Sequence, residues 1–254
     1  MQPHERIESA IRDTNAAGRT ALVPFVTAGY PQPDNFVRTL RVVAEVGDVV
    51  EIGVPFSDPM ADGMTIQRSS YTAIENGVTL RWIFEQLPAA WGIAAPLVMM
   101  SYLNPLLAFG YGNLAALAAD KGVCGFIVPD LPYEESGELR AALGGQGVGL
   151  VQLVTPATPP ERLRLLEDAS KGFLYAVTIT GITGGSGLPA DLADYLDRIN
   201  AISSLPVCAG FGIRAAEDVV NVGNHASGAI VGSALVEVLE RGEDPAAFLE
   251  SLRP

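Results

Sequence analysis

The carboxylates of Glu51 and Asp62 are the side chains of this sequence best suited to acid/base chemistry. Glu51 interrupts a β-branched run over residues 49–54 that is typical of a buried strand, and Asp62 lies in the acidic loop that follows. Because side chains alternate across a strand, Glu51 points away from the face of Val50 and Ile52. A buried carboxylate costs several kcal/mol unless a partner stabilises it. Glu51 is therefore either salt-bridged inside the core or a catalytic acid or base.

The composition indicates a folded, acidic protein. The chain has 254 residues, 48% of them hydrophobic, a net charge of −13 and a mean hydropathy of +0.27. Without a basic run to follow a phosphate backbone, nucleic acid is not expected as a partner. The start has no signal-peptide pattern and no apolar stretch approaches about 20 residues, so we expect a cytoplasmic protein that does not enter membranes. Cys124 and Cys208 have the apolar neighbours of reduced core cysteines.

Short β-type runs alternate with amphipathic helical runs along the whole chain. The predicted strands are Ala21–Thr27, Val49–Val54, Pro96–Ser101, Gly125–Val128, Gly149–Val154, Phe173–Thr178, Pro206–Ala209 and Gly228–Val231. Helical periodicity marks Pro33–Val46 and Asp191–Ile202, and an extra helix, His4–Ala17, precedes the first strand. Eight strand-helix units predict one domain over residues 1–254, an α/β fold of the (β/α)8 TIM-barrel type with an extra N-terminal helix. A doubly wound open sheet is the second choice.

Glycine-rich turns follow the last three predicted strands. They are Gly181–Gly185, Gly210–Ile213 and Gly232–Ala234, the last at the start of a helix predicted over Leu235–Glu240. Glycine lets the backbone approach an anion, and a helix N-terminus offers free N–H donors. In TIM barrels phosphate is commonly held by the loops after strands seven and eight. These turns predict a phosphate site that needs no lysine.

The residues that are missing from this face also narrow the chemistry. The only lysines, Lys121 and Lys171, each precede a strand and so lie at the amino end of the barrel, which makes Schiff-base chemistry improbable. The only histidines are His4 in the first helix and His225 in the turn before strand eight, so neither a metal cluster nor a Ser-His pair is expected. Acid/base transfer through carboxylates on a phosphorylated substrate remains.

The longest of these motifs resembles the signature of the tryptophan synthase α subunit. That motif, Val50–Gly63, matches over fourteen consecutive positions. Further matches are Val23–Pro31, Met100–Pro105, Pro129–Glu135, Thr180–Gly184, Gly210–Ile213 and Gly232–Ala234. The resemblance covers the whole chain. It implies an αββα heterotetramer with a β subunit, in which this subunit cleaves indole-3-glycerol phosphate to indole and glyceraldehyde 3-phosphate by a retro-aldol reaction without a cofactor.

The resemblance also assigns roles to individual residues. Glu51 would shuttle protons between the glycerol hydroxyl and indole C3, and an ionised Asp62 would accept a hydrogen bond from the indole N–H. The remaining assignments fall into three sets. The substrate would contact Phe25, Met100, Tyr102, Ile127, Leu153, Tyr175, Thr183 and Phe211; phosphate would bind Gly184, Gly212, Gly232 and Ser233; the β subunit would contact Pro55, Asp58, Asn104 and Pro132.

The chain departs from the family pattern at three positions. Met64 stands where proline is usual, which predicts a less rigid loop around Asp62. Thr178 and Ile179 replace residues that are often serine and polar. Two alternatives to a synthase subunit stay open: a free-standing indole-3-glycerol-phosphate lyase, and a barrel that binds a phosphorylated ligand and acts mainly as an allosteric partner.

Overall fold

Eight parallel strands close into a barrel in chain order in this computed structural model, which describes residues 1–178, 190–210 and 212–254. The strands are β1 (Ala21–Thr27), β2 (Val50–Gly53), β3 (Leu97–Met100), β4 (Val123–Ile127), β5 (Gly149–Val154), β6 (Leu174–Val177), β7 (Val207–Gly210) and β8 (Gly228–Val231). Pairing of β1 with both β2 and β8 closes the sheet. The predicted TIM barrel is therefore confirmed, and the open sheet is excluded.

Helices surround the barrel, and one more precedes it. They are α1 (Pro3–Ala16), α2 (Phe36–Val46), α3 (Met64–Glu75), α4 (Leu80–Gln86), α5 (Leu103–Phe109), α6 (Tyr111–Asp120), α7 (Gly137–Gly144), α8 (Pro160–Ala169), α9 (Ala190–Asn200), α10 (Ala216–Gly223), α11 (Ser233–Glu240) and α12 (Pro245–Ser251). The predicted N-terminal helix is thus present as α1. Within the described ranges, no helix has the length and apolar character needed to cross a membrane.

Two elements in the first half of the chain start more than one residue away from the predicted position. Residues Pro33–Asn35 form a 3-10 turn, and α2 begins only at Phe36. Proline fits such a first turn because its φ is already fixed and it lacks an N–H. Strand β4 begins at Val123, two residues before the predicted Gly125, because Gly122 with φ of +77° ends the preceding helix turn.

The two faces of the strands build two separate apolar layers. Val50 and Ile52 belong to the outer layer, between the barrel and its helices, with Phe36 and Leu40 of α2. Such strands, covered on both sides, carry near-continuous Val/Ile runs. Glu51 faces the barrel interior and is only 1% exposed. The alternation that the sequence predicts is confirmed.

Helix α1 closes the amino end of the barrel. Its Ile7 and Ile11 are fully buried in the interior cluster, and Ile7 packs against the glycine backbone at Gly125 and Gly172. The cavity described below lies at the opposite, carboxyl end of the strands. The barrel interior below the cavity is therefore filled with packed side chains, as expected for this architecture.

Asp48, just before β2, ties together three distant parts of the chain at the amino end. Its carboxylate accepts hydrogen bonds from Thr14 Oγ1 (2.8 Å), from the backbone N–H of Leu22 (2.8 Å) and from Arg253 Nη2 (3.0 Å). The partners belong to α1, to β1 and to the residues after α12. The side chains of Asp48 and Arg253 are mostly buried, which makes this a stronger bond than a surface ion pair.

Candidate active site

Glu51 stands at the base of a cavity at the carboxyl end of the barrel. It pairs in register with Phe25 of β1 and with Val98 of β3, so its side chain is aimed inward by regular strand geometry. Its Oε2 atom is buried and has no hydrogen-bond partner within the described ranges. A salt bridge inside the core, the structural alternative for this residue, is not found among the described residues. Since an unpaired buried oxygen is costly, the position is suited to a group that meets its partner in a ligand.

Burial and, to a smaller extent, the nearby charge of Asp62 raise the pKa of Glu51 to about 8 from an ordinary value of 4.5. The carboxyl group is therefore mostly protonated at neutral pH. A carboxylic acid with a pKa near the working pH can both give and take a proton, which is the property that acid/base catalysis requires.

Asp62 belongs to the loop between β2 and α3 and is held there by Tyr102. The Tyr102 hydroxyl donates to Asp62 Oδ2 at 3.1 Å and accepts from the Ala61 N–H at 2.8 Å. The Tyr102 ring is stacked on Phe56, with centroids 4.9 Å apart. Gln67 of α3 also donates to the Asp62 carbonyl, at 2.8 Å. Hydrogen bonds to both backbone and side chain therefore position this part of the loop.

Two features of the environment of Asp62 shift its pKa in opposite directions. Burial raises the pKa of Asp62, and the hydrogen bond from Tyr102 lowers it. Burial is the larger effect, so the pKa of Asp62 lies above its ordinary value. Glu51 lacks any such donor among the described residues and its pKa rises to about 8, so Glu51 is the group that favours the neutral acid. Pairs of titratable groups driven apart in this way are typical of acid/base sites.

An apolar slot of about 200 Å³ joins these two groups to the glycine turns. Its described lining is Phe25, Glu51, Asp62, Ile66, Met100, Tyr175, Val177, Thr178, Gly210, Gly212, Ile213, Arg214, Ile230, Gly232, Ser233 and Ala234. Three of the predicted ring contacts, Phe25, Met100 and Tyr175, are among them. Burial and then the charge of Glu51 raise the pKa of Tyr175, so its hydroxyl stays neutral beside the acid.

The slot keeps its width because Gly53 has no side chain. A Cβ at Gly53 would overlap the ring of Phe25, which lies across it on the neighbouring strand. Phe25 is 6% exposed and packs with Tyr30 and Ile66. The glycine at the end of β2 therefore fixes where one wall of the slot lies.

Not every predicted ring contact lies in the slot. Among the described residues, Ile127 and Leu153 do not line it; both belong to the packed interior, where Ile127 is fully buried and Leu153 is half-buried. Tyr102 is also not part of the described lining and contacts Asp62 instead. Strand alternation correctly predicts that the side chains of Ile127 and Leu153 point into the barrel. It does not predict how far below the cavity they lie. Thr183 and Phe211 lie outside the described residues.

Residues from the glycine turns after β7 and β8 meet at one side of the slot. Gly212, with φ of +68°, Gly232 and Ser233 all line it, and neither glycine has another atom within 4 Å of the place where a Cβ would stand. Helix α11 begins at Ser233, two residues earlier than predicted, with Gly232 as its N-cap. The start of α11, whose first N–H groups have no partner within the helix, therefore lies at the cavity, as an anion site requires. Gly184 lies outside the described residues.

Sequence reasoning missed one charged residue in the lining, Arg214. It follows the Gly210–Ile213 turn, and its guanidinium is paired with Glu237 of α11 at 2.8 Å. The sequence offered a signal for it, since a cation shortly after a barrel strand lies on the active face.

In the described ranges, no group of three or more His, Cys, Asp or Glu side chains could hold a metal ion.

The predicted partner contacts follow strands two, three and four, on the face of the slot. Asp58 in the loop after β2, Asn104 in the first turn of α5 and Pro132 after β4 are exposed. Pro55 is buried in the isolated chain. The three exposed residues can meet a partner directly, whereas Pro55 is buried.

Known proteins resemble this chain along nearly all of its length. A family profile described as Tryptophan synthase alpha chain matches residues 11–252. Tryptophan synthase alpha chains from Nitratidesulfovibrio vulgaris and Desulfovibrio desulfuricans are 43% and 45% identical, covering 97% and 96% of this chain and 97% of each relative. A crystal structure of tryptophan synthase from M. tuberculosis has a TM-score of 0.89 at 32% identity, covering 97% of this chain and 96% of that one. Tryptophan synthase subunit alpha from Legionella pneumophila gives 0.89 at 31% identity, covering 99% and 97%.

Proposed function

This chain belongs to the tryptophan synthase alpha chain family, and from that premise we propose how its residues divide the work. It is a lyase of tryptophan biosynthesis that cleaves indole-3-glycerol phosphate to indole and glyceraldehyde 3-phosphate, and it pairs with a β subunit. One observation carries the assignment of residues. A buried, neutral Glu51 and an Asp62 bound by Tyr102 share one apolar slot.

The reaction begins with Glu51 in its protonated form. Glu51 gives its proton to C3 of the indole ring while Asp62 accepts a hydrogen bond from the ring N–H. Protonation at C3 leaves a positive charge on the ring nitrogen, and the Asp62 carboxylate stabilises that charge in a site with little water. The raised pKa of Glu51 favours this starting state. The hydrogen bond from Tyr102 also favours it, because it opposes the larger effect of burial, which raises the pKa of Asp62.

The second step breaks the carbon-carbon bond. The Glu51 carboxylate takes the proton of the glycerol hydroxyl next to the ring, the oxygen forms an aldehyde, and the electrons of the broken bond restore the aromatic ring. Glu51 ends protonated, as it began, so the proton balance closes without a cofactor. The products are indole and glyceraldehyde 3-phosphate.

The slot and the turns beside it bind the two halves of the substrate. Phe25, Met100 and Tyr175 hold the ring, with Thr183 and Phe211 as further contacts. Gly212, Gly232, Ser233 and Gly184 hold the phosphate through backbone donors and the start of α11. Tyr102 acts on the substrate only through Asp62, because its hydroxyl is bound there.

The setting of the enzyme is proposed from the same premise. The chain acts as one domain in the cytoplasm, as the α subunit of an αββα heterotetramer. Asp58, Asn104 and Pro132, exposed on the active face, contact the β subunit. Crosslinking at Asn104→Cys with a thiol-reactive probe tests this face. A crosslink to the β subunit supports it, and an introduced thiol that reacts equally fast with and without saturating β subunit, and gives no crosslink, contradicts it.

The test of the catalytic assignment is Glu51→Gln, which keeps the shape of the side chain but cannot exchange the proton. Turnover of indole-3-glycerol phosphate should fall by at least about 10²-fold, as expected for lost acid/base catalysis. Binding of glyceraldehyde 3-phosphate should change little. The exposed Glu45→Gln is the matched control. Retained turnover would refute the catalytic role, and loss of both activities would point to a structural role for Glu51.

A further inference from the structure

Arg214 is a cation at the rim of the cavity whose position is fixed at both ends. Its guanidinium makes a two-pronged pair with Glu237, Nη1 to Oε2 at 2.8 Å and Nη2 to Oε1 at 3.0 Å. Its backbone N–H donates to Asp218 at the start of α10, also at 2.8 Å. Arg214 lines the cavity together with Gly212, Gly232 and Ser233. The charge therefore stands beside the turns that would bind phosphate.

The negative charge of Glu237 makes its pairing with Arg214 important for anion binding at this site. It lies one turn beyond Ser233 in α11, close to the helix start that faces the cavity. A lone carboxylate there would repel a phosphate group. The hydrogen bond from Arg214 lowers the pKa of Glu237, which is therefore ionised and needs the guanidinium to neutralise it.

The pairing with Glu237 does not use all the N–H donors of Arg214. It uses two guanidinium N–H groups, and an arginine has further donors in the same plane. The side chain is 59% exposed and the residue lines the cavity, so a ligand there can approach the guanidinium. Planar arginine donors match phosphate oxygens and, unlike backbone N–H groups, carry a full positive charge.

We propose that Arg214, held at the rim by Glu237, is a side-chain binding group for the phosphate of the substrate and adds charge selectivity to the backbone site. The proposal rests on the proposed function, since it names a further residue for the same substrate. It predicts that the enzyme prefers the doubly charged phosphate over a neutral group of the same size.

A simpler role for Arg214 would be to neutralise Glu237 without touching the phosphate. The two roles separate in a double-mutant cycle of Arg214→Ala and Glu237→Gln. If Arg214 binds phosphate, its removal weakens phosphate binding in the Glu237→Gln protein as well. If it only neutralises Glu237, its removal has no effect once that carboxylate is absent.

The control variant is Arg68→Ala. Arg68 of α3 pairs with Glu240 of the same helix α11 at 2.6 Å, and within the described ranges it does not line the cavity. Removing it changes the net charge by the same amount and disturbs the same helix. Arg214→Lys is the conservative variant, which keeps the charge but loses the planar donors.

The experiment is titration calorimetry of the full chain with glyceraldehyde 3-phosphate and, separately, with indole, at low and high salt. Arg214→Ala should weaken glyceraldehyde 3-phosphate binding by about tenfold, and Arg214→Lys by less. Indole binding should not change. The loss should shrink at about 1 M salt, where the screening length falls to about 3 Å.

Three results would overturn the proposal. They are an unchanged affinity for glyceraldehyde 3-phosphate in Arg214→Ala, an equal loss in Arg68→Ala, and no effect of Arg214→Ala in the Glu237→Gln background. The wild-type α reaction is measured alongside. If the wild type binds glyceraldehyde 3-phosphate through Arg214 but does not cleave indole-3-glycerol phosphate, the proposed function fails while the role of Arg214 stands.

Discussion

At the scale of single residues, one hydroxyl separates the roles of two carboxyl groups. Both Glu51 and Asp62 are buried, and burial raises the pKa of each. Only Asp62 has Tyr102 as a donor. The family resemblance assigned Tyr102 as a ring contact, but which atom its hydroxyl reaches depends on a loop forty residues away. Such a contact has no local sequence signal.

Tyr102→Phe removes that donor and leaves the ring stacked on Phe56. The hydrogen bond lowers the pKa of Asp62, so its loss raises that pKa further. Since Asp62 must be ionised, the acid limb of the profile of kcat/KM against pH should move to higher pH, while the alkaline limb, set by Glu51, stays near pH 8. Steady-state assays from pH 5 to pH 10 measure both limbs. An unmoved acid limb would contradict the role of Tyr102.

Glu51 should also make the protein less stable as pH rises. Its pKa is about 8 in the folded state against 4.5 as the ordinary value, so the folded state binds more protons between these pH values. Stability from this group is fully present below the ordinary value and is lost as pH rises through about 8. Glu51→Gln does not titrate. Its stability relative to wild type should rise by more than about 1 kcal/mol from pH 4.5 to pH 9.

Urea unfolding of both proteins at each pH measures this difference, because other titrating groups cancel between them. A constant difference across the range would mean that Glu51 has an ordinary pKa. An active site that costs stability in this way is typical of catalytic groups held in unfavourable surroundings.

At the scale of elements, the sequence predicts strands better than it predicts how deep a residue lies. The bounds of β1, β5 and β8 are as predicted, because each is a largely apolar run. The depth of Ile127 and Leu153 is set by the tilt of strands in a closed barrel, which no single strand encodes. The sequence shows that Arg214 follows a strand and so lies on the active face, but its place beside the turn after β8 appears only when β7 and β8 lie side by side.

Met64 is the first residue of α3 and is 78% exposed. Proline suits this position because its N–H is not needed there and its φ is already helical. Met64→Pro should stabilise the chain by about 0.4–1 kcal/mol and order the loop that carries Asp62. Activity of the free α subunit should rise, and its activation by the β subunit should shrink. Met64→Ala, which shortens the side chain without fixing φ, is the control.

The comparison uses both proteins alone and with saturating β subunit. Activation by the β subunit of at least about tenfold in wild type is the expected baseline, a coupling of about 1.4 kcal/mol. Equal activation of wild type and Met64→Pro would show that the loop around Asp62 is not what the partner orders.

At the scale of the whole molecule, the contacts of Asp48 that stabilise the fold and the residues proposed for catalysis lie at opposite ends of the barrel. Asp48 joins α1, β1 and the residues after α12 at the amino end, far from the slot. We therefore expect activity to persist after a change at this end, even when the fold is weakened. TIM barrels in general keep the two ends separate in this sense.

Asp48→Ala should lower the free energy of unfolding by about 2–4 kcal/mol, because it leaves the Leu22 N–H without its acceptor and removes the carboxylate partner of Arg253, which keeps only the Val46 carbonyl. Turnover per folded molecule at 25 °C should stay the same. Thermal unfolding and steady-state kinetics on one preparation measure both. The exposed Asp13→Ala on α1 is the control. A fall in turnover that exceeds the unfolded fraction would contradict this separation of the two ends.

The contact between Gly53 and Phe25 has an evolutionary consequence. A methyl group at position 53 would force the Phe25 ring into the slot or favour a smaller residue at position 25. The two positions should therefore covary among descendants of this sequence, although Gly53 does not line the described slot. Drift at that glycine would change the size of molecule the enzyme accepts, so a position that does not itself line the described slot can open a route to new substrates.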